Sequence, residues 1–127
     1  MQFDHAGIAT DEAAELADQY ETLFDLEIAH EETFDGMRVV FLDCGNGYLE
    51  LLEPLEDGTI ARYLDDRGPG IHHLALATDD IEGALERARE NDVRLVDEEP
   101  RPGAWGHTVA FLHPADTGGV LIEFVEH

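Results

Sequence analysis

His5 and His73 open two copies of one short pattern, "HAGIATD" at residues 5–11 and "HLALATD" at 73–79, which share the histidine and the whole "ATD". A second correspondence closes each half: "LELLEP" lies over "IEFVEH", so that Glu50 matches Glu123 and Glu53 matches Glu126. Two imidazoles and two carboxylates make a mixed nitrogen and oxygen donor set suited to a borderline divalent ion such as cobalt, nickel, zinc or manganese. Four protein donors leave two positions open for water or substrate. A single strand histidine is more often a hydrogen-bonded structural residue than a ligand. It is the duplication of the His–Glu pair that makes His5, Glu50, His73 and Glu123 the expected ligands of one metal ion.

The elements that must position these residues follow from periodicity. In a strand, neighbours point to opposite faces, so His72 and His73 cannot serve one site; His73 is the repeated residue, and His72 is expected to face away. After each "ATD" comes a helical spacing, Ala13, Leu16, Ala17, Tyr20, Leu23 and Phe24 in the first copy and Ile81, Ala84, Leu85 and Ala88 in the second. Asp11 and Asp79 stand where N-caps are expected, with Glu82 completing a capping box with Asp79. Strand-like runs follow: "LEIAHEETF", "MRVVFLDC" and "YLELLEP", then "VRLVDEE", "HTVAFLHP" and "GVLIEFVEH".

The expected fold is therefore α+β, two β-α-β-β-β modules in one domain of residues 1–127: module one over about 2–54, a connector over about 55–70 with a short helix at about 59–66, and module two over about 71–127. Two copies are too few for a solenoid. His5 shares a strand face with Gly7 and Ala9, and His73 with Ala75 and Ala77, small residues that leave room beside the ring. Glu50 lies opposite in face to Leu49 and Leu51, and Glu123 to Ile122 and Phe124. If the modules are related by a pseudo-twofold axis, the polar face becomes the inside of a cup-shaped sheet around one metal.

Charge narrows the setting. Thirty acidic residues against seven basic ones give a net charge of −23, and all seven basic residues are arginines, where a domain of this size usually carries a magnitude of roughly 2 to 8. Such a surface repels itself unless concentrated salt screens it, which points to a cytoplasmic protein of a high-salt cytosol. Nucleic acid and anionic membranes are poor partners for it. The single cysteine, Cys44, excludes an internal disulfide and reads as a small core or turn residue. No apolar run approaches the length of a membrane span, and no signal-like segment opens the sequence.

The stretches "LELLEPLEDGTIARYL", "GPGIHHLALATDDIEGAL", "VRLVDEEPRPGA" and "FLHPADTGGVLIEFVE" resemble, in order and spacing, the vicinal oxygen chelate superfamily and within it the methylmalonyl-CoA epimerases. The resemblance implies a cup of paired β-α-β-β-β modules, one divalent metal on His5, Glu50, His73 and Glu123, a homodimer, and interconversion of the 2R and 2S forms of methylmalonyl-CoA. It gives Glu123 the double role of ligand and acid/base, and Glu50 is the expected second acid/base. Some relatives carry a further glutamate base on the strand corresponding to "MRVVFL", which here has no carboxylate. Relatives also often carry lysines where this sequence reads His107 and Ala115, so coenzyme A phosphates would fall to Arg101, His107 or the glycine-rich turn at Gly103 and Gly106. Trp105 is expected to pack over the ligand and His113 to lie near the substrate entrance, whereas His30 and His127 read as surface residues. A glyoxalase I-type lyase would use the same four ligands, and a non-catalytic binding member of the superfamily is the alternative of another class.

Overall fold

In the computed structural model, which describes all 127 residues, both helical spacings and the connector helix form. The chain carries strand β1 (Gln2–Ala9), helix α1 (Ala13–Phe24), strands β2 (Glu27–Phe34), β3 (Met37–Asp43) and β4 (Tyr48–Pro54), and helix α2 (Thr59–Arg67). Strand β5 (Gly70–Ala77), helix α3 (Ile81–Glu90), the two-residue strand β6 (Arg101–Pro102), β7 (Thr108–Leu112) and β8 (Ile122–Glu126) follow. Three α-helices and eight strands make the class α+β. Two compact units are distinguished, residues 5–72, and residues 73–127 with residues 1–4. No helix is long and apolar enough to cross a membrane.

In the unit of residues 5–72 the strands run β2-β3-β4-β1, with β1 parallel to β4 and the other neighbours antiparallel. The β2–β3 hairpin turns through Asp35 and Gly36, both at positive φ (51° and 74°), the backbone that an Asp-Gly pair adopts at least cost. Ala13 and Ala17 of α1 pack on Val40, Leu42 and Leu51, with Ile8, Leu16, Tyr20, Leu26 and Leu49 around them. The final turn of α1 lies beyond this packing: Leu23 and Phe24, which share the apolar spacing, are exposed, and Asp25 ends the helix in the left-handed conformation.

In the other unit the strands run β5-β8-β7-β6, β5 parallel to β8. Ile81, Leu85 and Ala88 of α3 pack on Ala110, Leu112 and Phe124. The strand expected over "VRLVDEE" does not form. Only Leu95 makes a single bridge, to Leu112. Backbone groups that a ladder would need are taken by side chains: the amide of Phe111 donates to the Asp97 carboxylate and that of Arg94 to the Asp116 carboxylate. The segment keeps only scattered backbone bonds to β7 and its end, from the Val96 and Asp97 amides to the Phe111 carbonyl and from the His113 amide to the Arg94 carbonyl, without a continuous ladder, and a two-residue strand at Arg101–Pro102 takes the edge position.

The helix starts also differ from the sequence reading. Asp80, one residue after Asp79, caps α3 by accepting from the Gly83 amide at 3.0 Å; a Cβ at position 83 would lie 2.3 Å from the Asp80 carboxylate, so this cap requires the glycine. Helix α1 begins after Glu12 with no side-chain cap from that residue, and not at Asp11. In each "ATD" the threonine does the local work: Thr10 Oγ1 accepts from the Glu12 amide (3.2 Å) and Thr78 Oγ1 from the Asp80 amide (3.1 Å). A carboxylate from a distant strand meets the first amide of each helix. Ala13 donates to Glu53 and Ile81 to Glu126, both at 2.8 Å.

Candidate metal and active site

In each unit the histidine on the first strand meets the glutamate on the last. His5 Nε2 lies 3.2 Å from Glu50 Oε1, and His73 Nε2 lies 3.5 Å from Glu123 Oε1. The strand registers explain the match. Gly7 is the Cα partner of Glu50, and Ala75 of Glu123, so in both units a small residue two positions after the histidine faces the glutamate and leaves the space between ring and carboxylate clear. All four side chains are buried, with His5 3%, His73 4%, Glu50 6% and Glu123 7% exposed.

Buried imidazole and carboxylate groups at this spacing fit a metal. Donors about 2.1 Å from an ion, at adjacent tetrahedral or octahedral positions, lie roughly 3.0 to 3.4 Å from one another. The two His–Glu separations are those of a chelate edge, with the atoms that face each other being Nε2 and Oε1, the usual donors. His73 and Glu123 in one unit, and His5 in the other, are each buried donors of the kinds a metal ion takes.

An aromatic ring seats each imidazole, and sequence reasoning missed both. Phe41 is the register partner of Glu50 and meets the His5 ring edge to face at 5.7 Å. Phe111 is the partner of Glu123 and meets His73 likewise at 5.4 Å. The signal was present, since "VVFLD" and "VAFLH" align as third strands, but a phenylalanine in a strand is ordinarily just core.

The other residues singled out in the sequence lie as follows. His72 packs its ring against Tyr63 of α2 at 5.0 Å, while the neighbouring His73 is the buried one. Trp105 is held in the left-handed conformation (φ 61°, ψ 26°), which costs a residue with a Cβ about 1 kcal/mol or more, and it stacks on His107 at 5.6 Å. His107 in turn lies 3.9 Å from the ring of His127. His127, read from sequence as plain surface, also pairs with the buried Asp4, because the β8 terminus brings the last residue back beside β1. Gly103 is required under this turn, since a Cβ there would meet Val109 at 2.6 Å. Arg101 bonds Asp97 through Nε at 2.9 Å and sets its guanidinium over the Phe111 ring. His113 Nδ1 accepts from the Ala115 amide and caps a short turn. His30 pairs with Glu32 and lies half-buried near Phe41, and Cys44 is exposed at the β3–β4 turn.

Residues 4–111 match the pattern of the Glyoxalase/Bleomycin resistance protein/Dioxygenase superfamily. The chain belongs to that superfamily. An ethylmalonyl-CoA/methylmalonyl-CoA epimerase of Cereibacter sphaeroides is 35% identical to it, over 96% of this chain and 95% of the relative. Among solved superfamily structures, the methylmalonyl-CoA epimerase of Mycobacterium tuberculosis superposes with a TM-score of 0.93 at 38% identity, over 98% of this chain and 87% of that one. A methylmalonyl-CoA epimerase solved in complex with methylmalonyl-CoA and NH4+ gives 0.92 at 35% identity, over 98% and 93%. The likeness in fold to these structures thus extends over nearly the whole chain.

Proposed function

We propose that the chain is a methylmalonyl-CoA epimerase, working as one domain of two modules, in which His5, Glu50, His73 and Glu123 hold a single divalent ion. The observation that carries this reading is the buried His–Glu pair present once in each half at chelating distance, in a chain matched end to end by relatives named as epimerases. The α-hydrogen of methylmalonyl-CoA sits between a thioester carbonyl and a carboxylate and is weakly acidic. Inverting that carbon requires a proton acceptor on one face and a donor on the other.

Glu123 takes the α-proton onto a carboxylate oxygen, breaking the C–H bond. Glu50, protonated, delivers its proton to the opposite face of the same carbon. Each carboxyl then re-equilibrates with solvent, so the net change is configuration alone. His5, Glu50, His73 and Glu123 would hold the ion, which would supply Lewis-acid stabilisation of the negative charge that develops as the proton leaves. Burial of the four side chains raises the worth of those electrostatic interactions above their value in water.

Arg101, Trp105, His107 and His113 are assigned to the substrate. Coenzyme A brings several phosphate charges to a protein of net charge −23 without lysine, and these side chains supply cationic and aromatic groups around the Gly103–Gly106 turn and the end of β7. The same charge supports residence in a high-salt cytosol, and the family resemblance supports a homodimer.

The deciding experiment is solvent exchange. In D2O, with cobalt added, the protein should load deuterium at the α-carbon of methylmalonyl-CoA far faster than buffer does, and EDTA should abolish the gain. Exchange no faster than buffer with metal bound would end the epimerase reading.

A further inference from the structure

The two His–Glu pairs repeat in sequence, yet their supporting rings are held differently. Phe41, beside His5, is flanked by half-buried rings: Tyr48 edge to face at 6.1 Å and His30 tilted at 6.3 Å. Phe111, beside His73, carries the Arg101 guanidinium 5.6 Å above its ring. Asp97 ties that cation to the same residue it covers, because one carboxylate oxygen accepts Arg101 Nε (2.9 Å) and the other accepts the Phe111 backbone amide (2.9 Å). The side chain of Asp97 is mostly buried while that of Arg101 is 45% exposed. Asp97, Arg101 and Phe111 thus form a closed loop of contacts whose inner end is the His73 ring.

We propose that Arg101 is a positioning residue for His73: anchored by Asp97, it clamps the Phe111 ring and thereby fixes the plane in which the His73 imidazole presents Nε2. This rests on the metal reading above and adds a second role to a residue assigned there to the substrate. A planar guanidinium lies flat on an aromatic face and forks to a carboxylate at once, which a lysine ammonium cannot do. Groups that orient a metal-binding histidine from behind commonly change metal affinity by 10- to 100-fold when removed. The contact at stake here is the one with the Phe111 ring, weaker than a hydrogen bond to a carboxylate, and the lower figure is expected.

The test uses the full chain and two readouts that do not require turnover. In Arg101→Ala, cobalt affinity should fall on the order of tenfold with a shifted visible absorption band. In the metal-free protein the His73 Cε1–H resonance should move while that of His5 stays in place. Arg101→Lys should resemble Arg101→Ala, and Arg94→Ala, which removes an exposed guanidinium bonded to Asp116, should change neither readout. If Arg101→Ala left cobalt affinity and the His73 resonance unchanged and only raised KM for the thioester, Arg101 would be a substrate contact and the positioning role would be wrong. A wild-type affinity in Arg101→Lys would overturn the clamp in favour of charge alone. Should Arg101→Ala not fold, Asp97→Asn is read in its place, with the same shift of His73 expected. Should the wild type bind no cobalt, the metal reading fails, and the His73 resonance alone still decides whether the clamp exists.

Discussion

Glu126 accepts the first amide of α3, that of Ile81, at 2.8 Å, a contact that ties the last strand to the start of a helix 45 residues earlier in the chain. Glu53 makes the same contact with Ala13. Each glutamate lies three residues beyond a candidate metal ligand, Glu123 or Glu50. Positions three apart on one strand point to opposite faces and therefore serve two purposes, one on the site and one on the helix. A carboxylate here satisfies an amide without an intrahelical partner and meets the positive end of the helix dipole.

Glu126→Ala should accordingly lower stability by about 1 kcal/mol, the usual worth of a lost cap, with Glu53→Ala behaving alike. Urea denaturation checks it: the midpoint should fall with the slope unchanged. Metal affinity of the folded protein should change little.

His73→Ala should abolish binding of a divalent ion by isothermal titration calorimetry, whereas His72→Ala should leave it nearly intact while losing the contact with Tyr63, about 0.5–1.5 kcal/mol for an aromatic pair. The reverse result would mean that the strand faces have been assigned the wrong way round.

Glu50→Gln and Glu123→Gln keep an oxygen for the ion but cannot accept the α-proton. Each should slow epimerisation by on the order of 10²- to 10⁴-fold in metal-loaded protein. A Glu50→Gln variant turning over at nearly the wild-type rate would leave Glu50 as a ligand alone and require another proton donor.

Asp116 offers a pH signature. Arg94 holds its carboxyl by side-chain hydrogen bonds, and the Arg94 amide adds another, so that its pKa falls from 3.8 to about 2. A carboxylate with a depressed folded-state pKa stabilises the fold above its unfolded value, and that contribution is lost as pH falls from about 3.8 to about 2. Carboxyl NMR should show Asp116 titrating near 2, and Arg94→Gln should return it toward 3.8.

Salt should matter more broadly. With a net charge of −23, the melting temperature should rise between dilute buffer and 2–3 M potassium chloride, since the Debye length has already shrunk to about 3 Å at 1 M. A melt equally high in both would remove the case for a high-salt setting.

Much of the fold was legible because repetition supplied what one sequence normally lacks. Two aligned copies separated His73 from His72 and brought Glu50 and Glu123 forward from thirty acidic residues. Contacts between elements distant in sequence, apart from the repeated His–Glu pairs, were not legible. The Glu53 and Glu126 caps reach across 40 and 45 residues, and local cap signals pointed instead to Asp11 and Asp79. The run "VRLVDEE" has strand composition, but Asp97 and Asp116 occupy amides that a ladder would have used. Phe41 and Phe111 escaped notice because their type is that of any core residue; only register with the glutamates sets them apart.

The left-handed turn also gives the molecule an optical asymmetry. Trp105 is its only tryptophan, and it sits in the unit of residues 73–127; the three tyrosines, Tyr20, Tyr48 and Tyr63, all fall in the unit of residues 5–72. Indole emission excited at the red edge therefore reports on one unit alone, and the tyrosine ring NMR resonances on the other. Without any introduced label, the native chain carries separate spectroscopic channels for its two units, so coincidence of the two signals during denaturation tells directly whether they melt as one cooperative body.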